Sequence, residues 1–253
     1  MTAADLIAAL DLPVEARVDR RVPKTLLVEH GAPTAADRRR IQDGIEEVRW
    51  LAVLKPTTIG VPPFRAEDRE YLEIAVLSAE LRGGAKAGRL AELIHRAIPY
   101  PVFLAVTGPR GVVALSLAHK RWSKGEEGAT VLDGELVSVE LPPGKTDDIG
   151  KAFCEALRLA RQPRSDLRAL YQGWMAAMVA FQAAGVTGAF AVPASTEEAA
   201  GRQEAVREHA RLSAEIARLR AVAAKERQMA RRVDLNLEVQ RLEKDLSLAK
   251  ERL

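Results

Sequence analysis

The sequence is poor in the residues on which redox, metal and nucleophilic chemistry depend. Its 253 residues include one cysteine, Cys154, which excludes an internal disulfide, and four histidines that are scattered rather than clustered. The patterns HExxH, CxxC and GxSxG do not occur in the chain. Cys154 stands among apolar neighbours in GKAFCEALRLA, which favours a buried structural thiol. We therefore expect no catalytic residue, no metal and no cofactor.

A strong charge excess and a targeting segment are also missing. The net charge is +3, so a pI near 9.1 indicates an anionic partner only weakly. The first ten residues have no basic start and no small-residue cleavage motif, so no signal peptide is readable. Residues 169–196 carry no charge, but Gln182, Gly185 and Gly188 interrupt them, which favours a buried core helix over a membrane span. The expected location is the cytoplasm.

What remains is a periodicity that predicts an α+β (mixed α/β) N-terminal domain followed by helices. Thr34 is placed to cap a helix whose apolar positions Ile41, Ile45, Val48 and Leu51 follow helical spacing. The preceding basic stretch LPVEARVDRRVPKTLL is interpreted as extended. EYLEIAVLSAEL, PYPVFLAVTGPRGVVALSLAHKRW and ATVLDGELVSVEL predict strands, the second segment as two strands joined by a turn.

Three further helices are predicted from amphipathic spacing and capping residues. AKAGRLAELIHRAI should turn Leu90, Leu93, Ile94 and Ile98 inward. The other two helices are TDDIGKAFCEALRLARQ and SDLRALYQGWMAAMVAFQAA. Their candidate capping residues are Thr146 or Asp147 for the first, and Ser165 or Asp166 for the second.

The predicted organisation is a mixed α/β domain (1–162), a helical connector (163–194) and a coiled-coil-like tail (195–253). The tail contains one glycine and no proline, and as a single helix it would be roughly 90 Å long. It must therefore project as a long coiled-coil-like helix or fold back as a helical hairpin.

The tail carries two apolar seams that do not share a phase. Both follow steps of three and four, and they differ by roughly 140° on an ideal helix. The first seam is Leu212, Ile216, Leu219 and Ala223; the second is Leu235, Val239, Leu242, Leu246, Ala249 and Leu253. At the join, RQMARRVDLN contains Asn236, which we interpret as a buried register-setting residue, so that Asn236→Leu would alter tail association.

Two sets of residues suggest chemistry without meeting a full motif. Glu73, Glu80 and Arg82 faintly resemble a metal-dependent nuclease half-motif, although arginine replaces the usual lysine. Possible nucleic-acid contacts lie in two basic clusters, DRRR and HKRW, and the tryptophan of HKRW suits base stacking. The residues are Arg38, Arg39, Arg40, Lys120, Arg121 and Trp122. LPPGKT fails as a phosphate loop, because Val139 occupies the position of the required first glycine.

Several phrases in order resemble one bacterial family along nearly the full chain. They are RVPKTLL, IEEVRWLAVLKPTTIGVP, LIHRAIPYPVFLAV, VVALSLAHKRW and KERQMARRVDLNLEVQRLEKDL. The chain is identified on them as a member of the domain of unknown function 4391 family. The terminal phrase matches at Gln228, Arg231, Asn236 and Leu242, and departs at Met229 and Ala230.

The resemblance implies no activity, but it does imply a setting. Members of the family are commonly encoded beside adenine-specific DNA methyltransferases and helicases of restriction or phage-defence systems. The favoured hypothesis is a non-catalytic accessory subunit whose α/β body docks on a helicase or methyltransferase and whose tail joins it to a partner or to a second copy. The residues expected to set the association of the tail are Gln228, Arg231, Arg232, Asn236 and Leu242. The alternative is a divergent metal-dependent nuclease or nucleic-acid-processing enzyme.

Overall fold

The chain folds as a mixed α+β protein. The computed structural model describes residues 2–126, 128–141 and 147–253. The helices are α1 (Ala3–Ala9), α2 (Lys24–Gly31), α3 (Ala35–Gly44), α4 (Pro56–Ile59), α5 (Ala87–Ala97), α6 (Asp148–Leu157), α7 (Leu167–Thr187), α8 (Thr196–Lys225) and α9 (Met229–Glu251). The strands are β1 (Arg17–Arg21), β2 (Ile45–Leu54), β3 (Phe64–Arg65), β4 (Glu70–Tyr71), β5 (Ile74–Leu81), β6 (Val102–Thr107), β7 (Val113–Trp122) and β8 (Thr130–Leu141).

A six-stranded sheet in the order β1-β2-β5-β6-β7-β8 is the centre of the fold. The β5 and β6 strands run parallel and are joined by α5, because a parallel connection needs a crossover element. The other neighbours in this sheet pair antiparallel. The short strands β3 and β4 form a separate two-stranded ribbon. The two predicted strands that meet at a turn are β6 and β7, as expected.

Helix α5 covers one face of the sheet as predicted. Its inward residues Leu90, Leu93 and Ile94 are buried, and Ile98, which follows the helix, is buried with them. Helix α2 approaches so closely that a Cβ at Gly31 would lie 2.5 Å from the Leu93 carbonyl oxygen. Only glycine fits at this crossing, because any side chain would have to displace backbone.

The opposite face is covered by elements that include the start of α7. The Trp174 ring meets Phe103 of β6 edge-on, with ring centroids 5.1 Å apart. Its indole N–H donates to the Leu157 carbonyl oxygen of α6 at 2.8 Å. The buried indole is thus hydrogen-bonded, and it ties two helices to the sheet.

The prediction of a helix through Leu51 is wrong. Helix α3 ends at Gly44, and residues 45–54 form β2 between β1 and β5. Bulges between Ile45 and Glu47 and between Trp50 and Ala52 interrupt the two-residue alternation. An extra residue at a bulge converts strand spacing into apparent helical spacing. The Thr34 cap itself is confirmed, since its hydroxyl accepts the Asp37 N–H at 3.1 Å.

Two other local predictions are corrected. The basic stretch interpreted as extended includes β1 but also α2, which begins directly after Pro23, the residue at its N-cap. The single strand predicted over residues 70–81 is divided into β4 and β5, with Glu73 in the connection between them.

The caps of the later helices agree with prediction where the structure describes them. Asp147 accepts the Gly150 N–H at 2.8 Å at the start of α6. Asp166 accepts the Ala169 N–H at 2.8 Å at the start of α7. The alternative cap Thr146 and most of the LPPGKT segment lie outside the described residues.

Helix α7 contains most of the charge-free run and ends as predicted near Gly188, whose φ is +78°. Among the described residues, no helix combines the length and apolarity that crossing a membrane requires. The chain divides into two compact units, Met1–Met178 and Val179–Leu253, and the division falls inside α7. The three-segment organisation, with boundaries after residues 162 and 194, stays a prediction.

The second unit contains the helical hairpin rather than one straight helix. Helix α8 ends at Lys225 and α9 begins at Met229. The two helices pack on each other through Ile216, Leu219 and Val239, with partly buried leucines from the predicted second seam around them. The phase shift between the seams therefore coincides with a turn at residues 226–228.

Candidate functional site

A cleft of about 200 Å³ lies in the first unit where β7 ends and β8 begins. Its lining combines cations with aromatic rings and prolines. The lining residues are Arg69, Glu70, Leu72, Pro99, Tyr100, Pro101, Lys120, Arg121, Trp122, Gly128 and Thr130. The three residues of HKRW that were predicted as nucleic-acid contacts thus share one cleft.

Backbone hydrogen bonds bring these distant segments together. The Trp122 N–H donates to the Asp68 carbonyl oxygen at 2.8 Å, which holds the segment before β4 against the end of β7. The Thr130 hydroxyl donates to the Pro99 carbonyl oxygen at 3.1 Å. The first bond positions Arg69 beside the cleft, and the second fixes the loop that carries Tyr100.

Lys120 is almost completely buried, with 2% of its surface exposed. Its ammonium group donates to the carbonyl oxygens of His95 and Ile98 at the C-terminus of α5. Free carbonyls at a helix C-terminus carry partial negative charge, which favours a cation there. Burial nevertheless lowers the pKa of Lys120 to about 8. Neither hydrogen-bond acceptor is a carboxylate, so the charge of Lys120 is stabilised by dipoles alone.

Arg69 and Arg121 share one acidic partner, and Arg69 has a second. Asp133 of β8 lies 2.9 Å from Arg69 Nη1 and 3.7 Å from Arg121 Nε. Asp68 also accepts hydrogen bonds from Arg69, and these bonds raise the Arg69 pKa above its ordinary value. Both guanidinium groups therefore reach the cleft in a fixed geometry.

A buried histidine lies behind Lys120. His95 is fully buried, and its Nε2 lies 2.9 Å from the Ser116 hydroxyl. Its Nδ1 has no hydrogen-bond partner among the described residues. Burial, together with the nearby Lys120 charge, lowers the pKa of His95 to about 3. The ring is therefore neutral at physiological pH.

A second polar group occupies the other side of β7. The Tyr71 hydroxyl bonds His119 Nδ1, and both rings lie against Tyr171 at centroid distances of 5.9 and 5.7 Å. Burial is the largest cause that lowers the pKa of His119 to about 4, with Arg168 and Arg69 contributing. Burial raises the pKa of Tyr71 to about 12. These values favour a neutral, hydrogen-bonded core pair rather than an acid–base pair.

The other predicted basic cluster lies elsewhere. Arg38, Arg39 and Arg40 are exposed on α3. Arg40 lies 2.9 Å from Asp37, which also binds Arg89 at the start of α5. Lys120 caps the opposite end of α5, about 16 Å away along a helix of this length. The structure therefore does not bring the two predicted basic clusters together.

The three residues of the nuclease alternative do not form a cluster. Glu73 precedes β5 and pairs with Lys55 at 3.1 Å, whereas Arg82 follows β5 and pairs with Glu46. Glu80 is exposed near the far end of β5, roughly 20 Å from Glu73 along an extended strand. Among the described residues there is no group of three His, Cys, Asp or Glu side chains that could hold a metal ion. The geometry thus offers this alternative no metal-binding set.

The residues predicted to set tail association have unequal surroundings. Leu242 packs against the buried centre of the hairpin. Gln228 is at the N-cap of α9, and Arg231 lies 3.5 Å from Glu226 in the turn. Arg232 is exposed and bonds the Met229 sulfur.

The interpretation of Asn236 as a buried seam residue is wrong, because its side chain is exposed. It follows Leu235, a seam residue, and one position rotates a helix by about 100°. Asn236 is therefore turned away from the α8–α9 contact.

Helix α9 carries a second apolar face that the hairpin leaves exposed. We call it the outer stripe: Met229, Val233, Leu237 and Leu248, which are 64%, 48%, 51% and 60% exposed. Val233 and Leu237 continue the phase of the α8 seam. Val233 stands two positions before the seam residue Leu235, and Leu237 stands two positions before Val239. Two positions on a helix correspond to a rotation of about 160°, so the outer stripe lies opposite the α8 contact.

Sequence reasoning identified three cleft residues and missed Arg69 and Tyr100, which also line the cleft, and Asp133, which pairs with both arginines. Tyr100 had a detectable signal, since it stands between two prolines. Prolines interrupt helices and central strands, so this tyrosine is expected in a loop. Arg69 and Asp133 had none, because their approach depends on pairing between segments far apart in the chain.

The fold and its surfaces define an α+β protein of two parts: a unit built on a six-stranded sheet with a basic, aromatic-lined cleft, and a helical hairpin with an apolar face on α9 that α8 leaves exposed. This statement covers the described residues alone. A family model described as Domain of unknown function (DUF4391) matches residues 10–246. Since the match spans most of the 253 residues, the chain belongs to that family, as the motifs predicted. Searches of curated proteins and of solved structures gave no match.

Proposed function

We propose that the protein is a non-catalytic accessory subunit that associates with a DNA methyltransferase or helicase of a restriction or phage-defence type system. The single observation that carries the proposal is the outer stripe of α9, whose four large apolar side chains are about half exposed or more. An apolar row of this kind on a helix is typical of a surface that binds another helix.

The occupant we propose is an apolar helix of the partner that also carries acidic side chains. Between Leu237 and Leu248, the positions that continue the outer stripe include Arg241 and Lys244, and both are exposed. Carboxylates on the partner would complement these cations while its apolar residues cover the stripe. The choice of methyltransferase or helicase comes from the neighbourhood that the family resemblance implies.

The test uses the full chain co-expressed with an adenine-specific methyltransferase and a helicase of the kind that the family resemblance implies as gene neighbours. The double substitution Val233→Glu and Leu237→Glu places two carboxylates in the outer stripe. We expect the affinity for the partner to fall by roughly a hundredfold, because central apolar anchors dominate helix-in-groove binding. Recovery of the bound partner should fall with it. The hairpin should remain folded, since neither residue belongs to the seam.

Ala210→Glu is the matched control, because it adds a carboxylate to an exposed alanine of α8. Its partner recovery should equal that of the unmodified chain. If the unmodified chain retains neither enzyme, the proposal fails. Light scattering tests whether a second copy of the chain covers the outer stripe instead. If the unmodified chain is a homodimer and the double substitution dissociates it, the occupant is a second copy and not the partner protein.

A further inference from the structure

We infer that the cleft at the end of β7 binds one nucleotide unit of a single-stranded nucleic acid, with the base stacked on Trp122 and the phosphate beside Lys120. The cleft belongs to the first compact unit and the outer stripe to the second. The inference is therefore independent of the proposed function, and the two can fail separately.

The charge of the lining favours an anionic ligand. Three cations, Lys120, Arg121 and Arg69, and one carboxylate, Glu70, line the cleft. The two arginines pair with Asp68 and Asp133, so Lys120 is the cation of the three that has no carboxylate partner among the described residues. Lys120 is the most informative of these, because its buried ammonium group binds two neutral carbonyl oxygens and no carboxylate. A phosphate in the cleft would provide the counter-charge that the protein itself does not place there. The more exposed guanidinium groups of Arg69 and Arg121 can donate to that phosphate directly, and such charged hydrogen bonds are stronger than neutral ones.

The fixed geometry of the arginines supports the same ligand. Asp133 binds Arg69 at 2.9 Å, and Arg121 Nη1 donates to the Trp122 carbonyl oxygen at 3.0 Å, so both guanidinium groups are already oriented before a ligand arrives. A guanidinium group has more donors than one carboxylate can accept, which leaves N–H groups for a phosphate. Little side-chain entropy is then lost on binding.

The aromatic rings indicate that the ligand also has a flat face. Trp122 and Tyr100 are both partly exposed and both line the cleft. Interleaved cations and aromatic rings are the common means of binding single strands, because each base offers a π face to stack on. A paired duplex keeps those faces covered within its own stack, so a single strand fits better.

The size of the cleft limits what enters it. A volume of about 200 Å³ is smaller than the roughly 300–1,000 Å³ typical of sites that enclose a complete small molecule. The cleft therefore suits one base or one phosphate group of a longer strand whose remainder lies outside.

The experiment measures the fluorescence anisotropy of a fluorescein-labelled oligothymidylate of twelve nucleotides as the full chain is added at low salt. A duplex of the same length and free thymidine monophosphate serve as competitors. We expect the single strand to bind and the duplex to compete at least tenfold less well. Failure to bind, or equal competition by the duplex, would overturn the inference. Equal competition by the mononucleotide would overturn its assignment to a strand.

Arg121→Gln and Arg20→Gln form a matched pair, since each removes one cation but only Arg121 lines the cleft, whereas Arg20 is exposed on β1 at the other edge of the sheet. We expect Arg121→Gln to weaken binding about tenfold and Arg20→Gln less than twofold. Equal losses would mean that binding follows net charge rather than the cleft. Thermal melting checks that both proteins are folded.

Trp122 provides a readout that a structural role would not affect. Trp122→Ala should weaken binding roughly 5- to 150-fold, the range expected for the loss of one base–aromatic stack. Trp122→Phe should retain binding but remove most of the quenching of tryptophan fluorescence by the oligonucleotide, because Trp50 and Trp174 lie outside the cleft lining. Unchanged quenching in Trp122→Phe would refute stacking on this residue, even if Trp122→Ala fails to fold.

Discussion

Buried His95 should make the first unit sensitive to acid by a predictable amount. Burial and the charge of Lys120 lower its folded-state pKa to about 3 from an ordinary value of 6.5. Below pH 6.5 the unfolded chain takes up a proton at this residue and the folded chain does not. Stability is therefore lost as the pH falls from 6.5 towards 3.

The magnitude follows from the difference in proton binding. Between pH 7 and pH 5 the free energy of unfolding should fall by about 2 kcal/mol on account of His95 alone. His95→Gln removes the titrating ring but keeps an amide that can reach Ser116. The free energy of unfolding of the original chain minus that of the variant should fall by that amount from pH 7 to pH 5, whatever the difference is at pH 7.

Urea unfolding followed by tryptophan fluorescence is the suitable assay. Trp50, Trp122 and Trp174 all belong to the Met1–Met178 unit, so the signal reports on the unit that contains His95. His30→Gln controls for loss of an exposed imidazole. If the stability curves of the original chain and His95→Gln run parallel from pH 7 to pH 5, the reasoning is wrong.

Two further changes test the packing around the sheet. Gly31→Ala should destabilise the first unit by about 1–3 kcal/mol, because the new Cβ would lie 2.5 Å from the Leu93 carbonyl oxygen. Gly88→Ala is the control and should not destabilise the unit, since no atom lies within 4 Å of the added Cβ. Equal unfolding midpoints of the two variants in urea would contradict the crossing geometry. Tyr171→Phe should cost about 1–3 kcal/mol, because the buried hydroxyl bonds backbone groups of β6 and β7 at 2.7 and 2.9 Å. Tyr100→Phe, at a partly exposed ring, is its control, and an equal loss of thermal stability in the two variants would count against the buried hydrogen bonds.

The sequence predicted the elements whose patterns are local. The inward face of α5 follows from helical spacing, and the β6–β7 pair follows from a turn rich in glycine and proline. Residues 45–54 were misassigned because two bulges hide the strand alternation, and pairing with β1 and β5 decides the outcome. Tertiary contacts of this kind override local spacing and leave no trace in a short window.

The cleft illustrates the same limit at the level of a site. Lys120, Arg121 and Trp122 are adjacent in sequence, so their combination could be noticed directly. The sequence could not show that Lys120 faces the C-terminus of α5 while His119 faces Tyr171 across the strand. Alternation along β7 separates neighbours onto two faces, and only the packed helices determine which face is buried.

The shifted phase of the tail has a consequence that neither seam alone would suggest. If α8 and α9 were one straight helix, the two seams would point in different directions. The turn at residues 226–228 lets the α9 seam meet α8, and it leaves Val233 and Leu237, which continue the α8 phase, on the outside. One neighbouring helix cannot cover two opposite faces, so burying both faces of α9 requires a further element besides α8. The break in the heptads therefore does more than form a hairpin, since it creates the apolar face on which the proposed association depends.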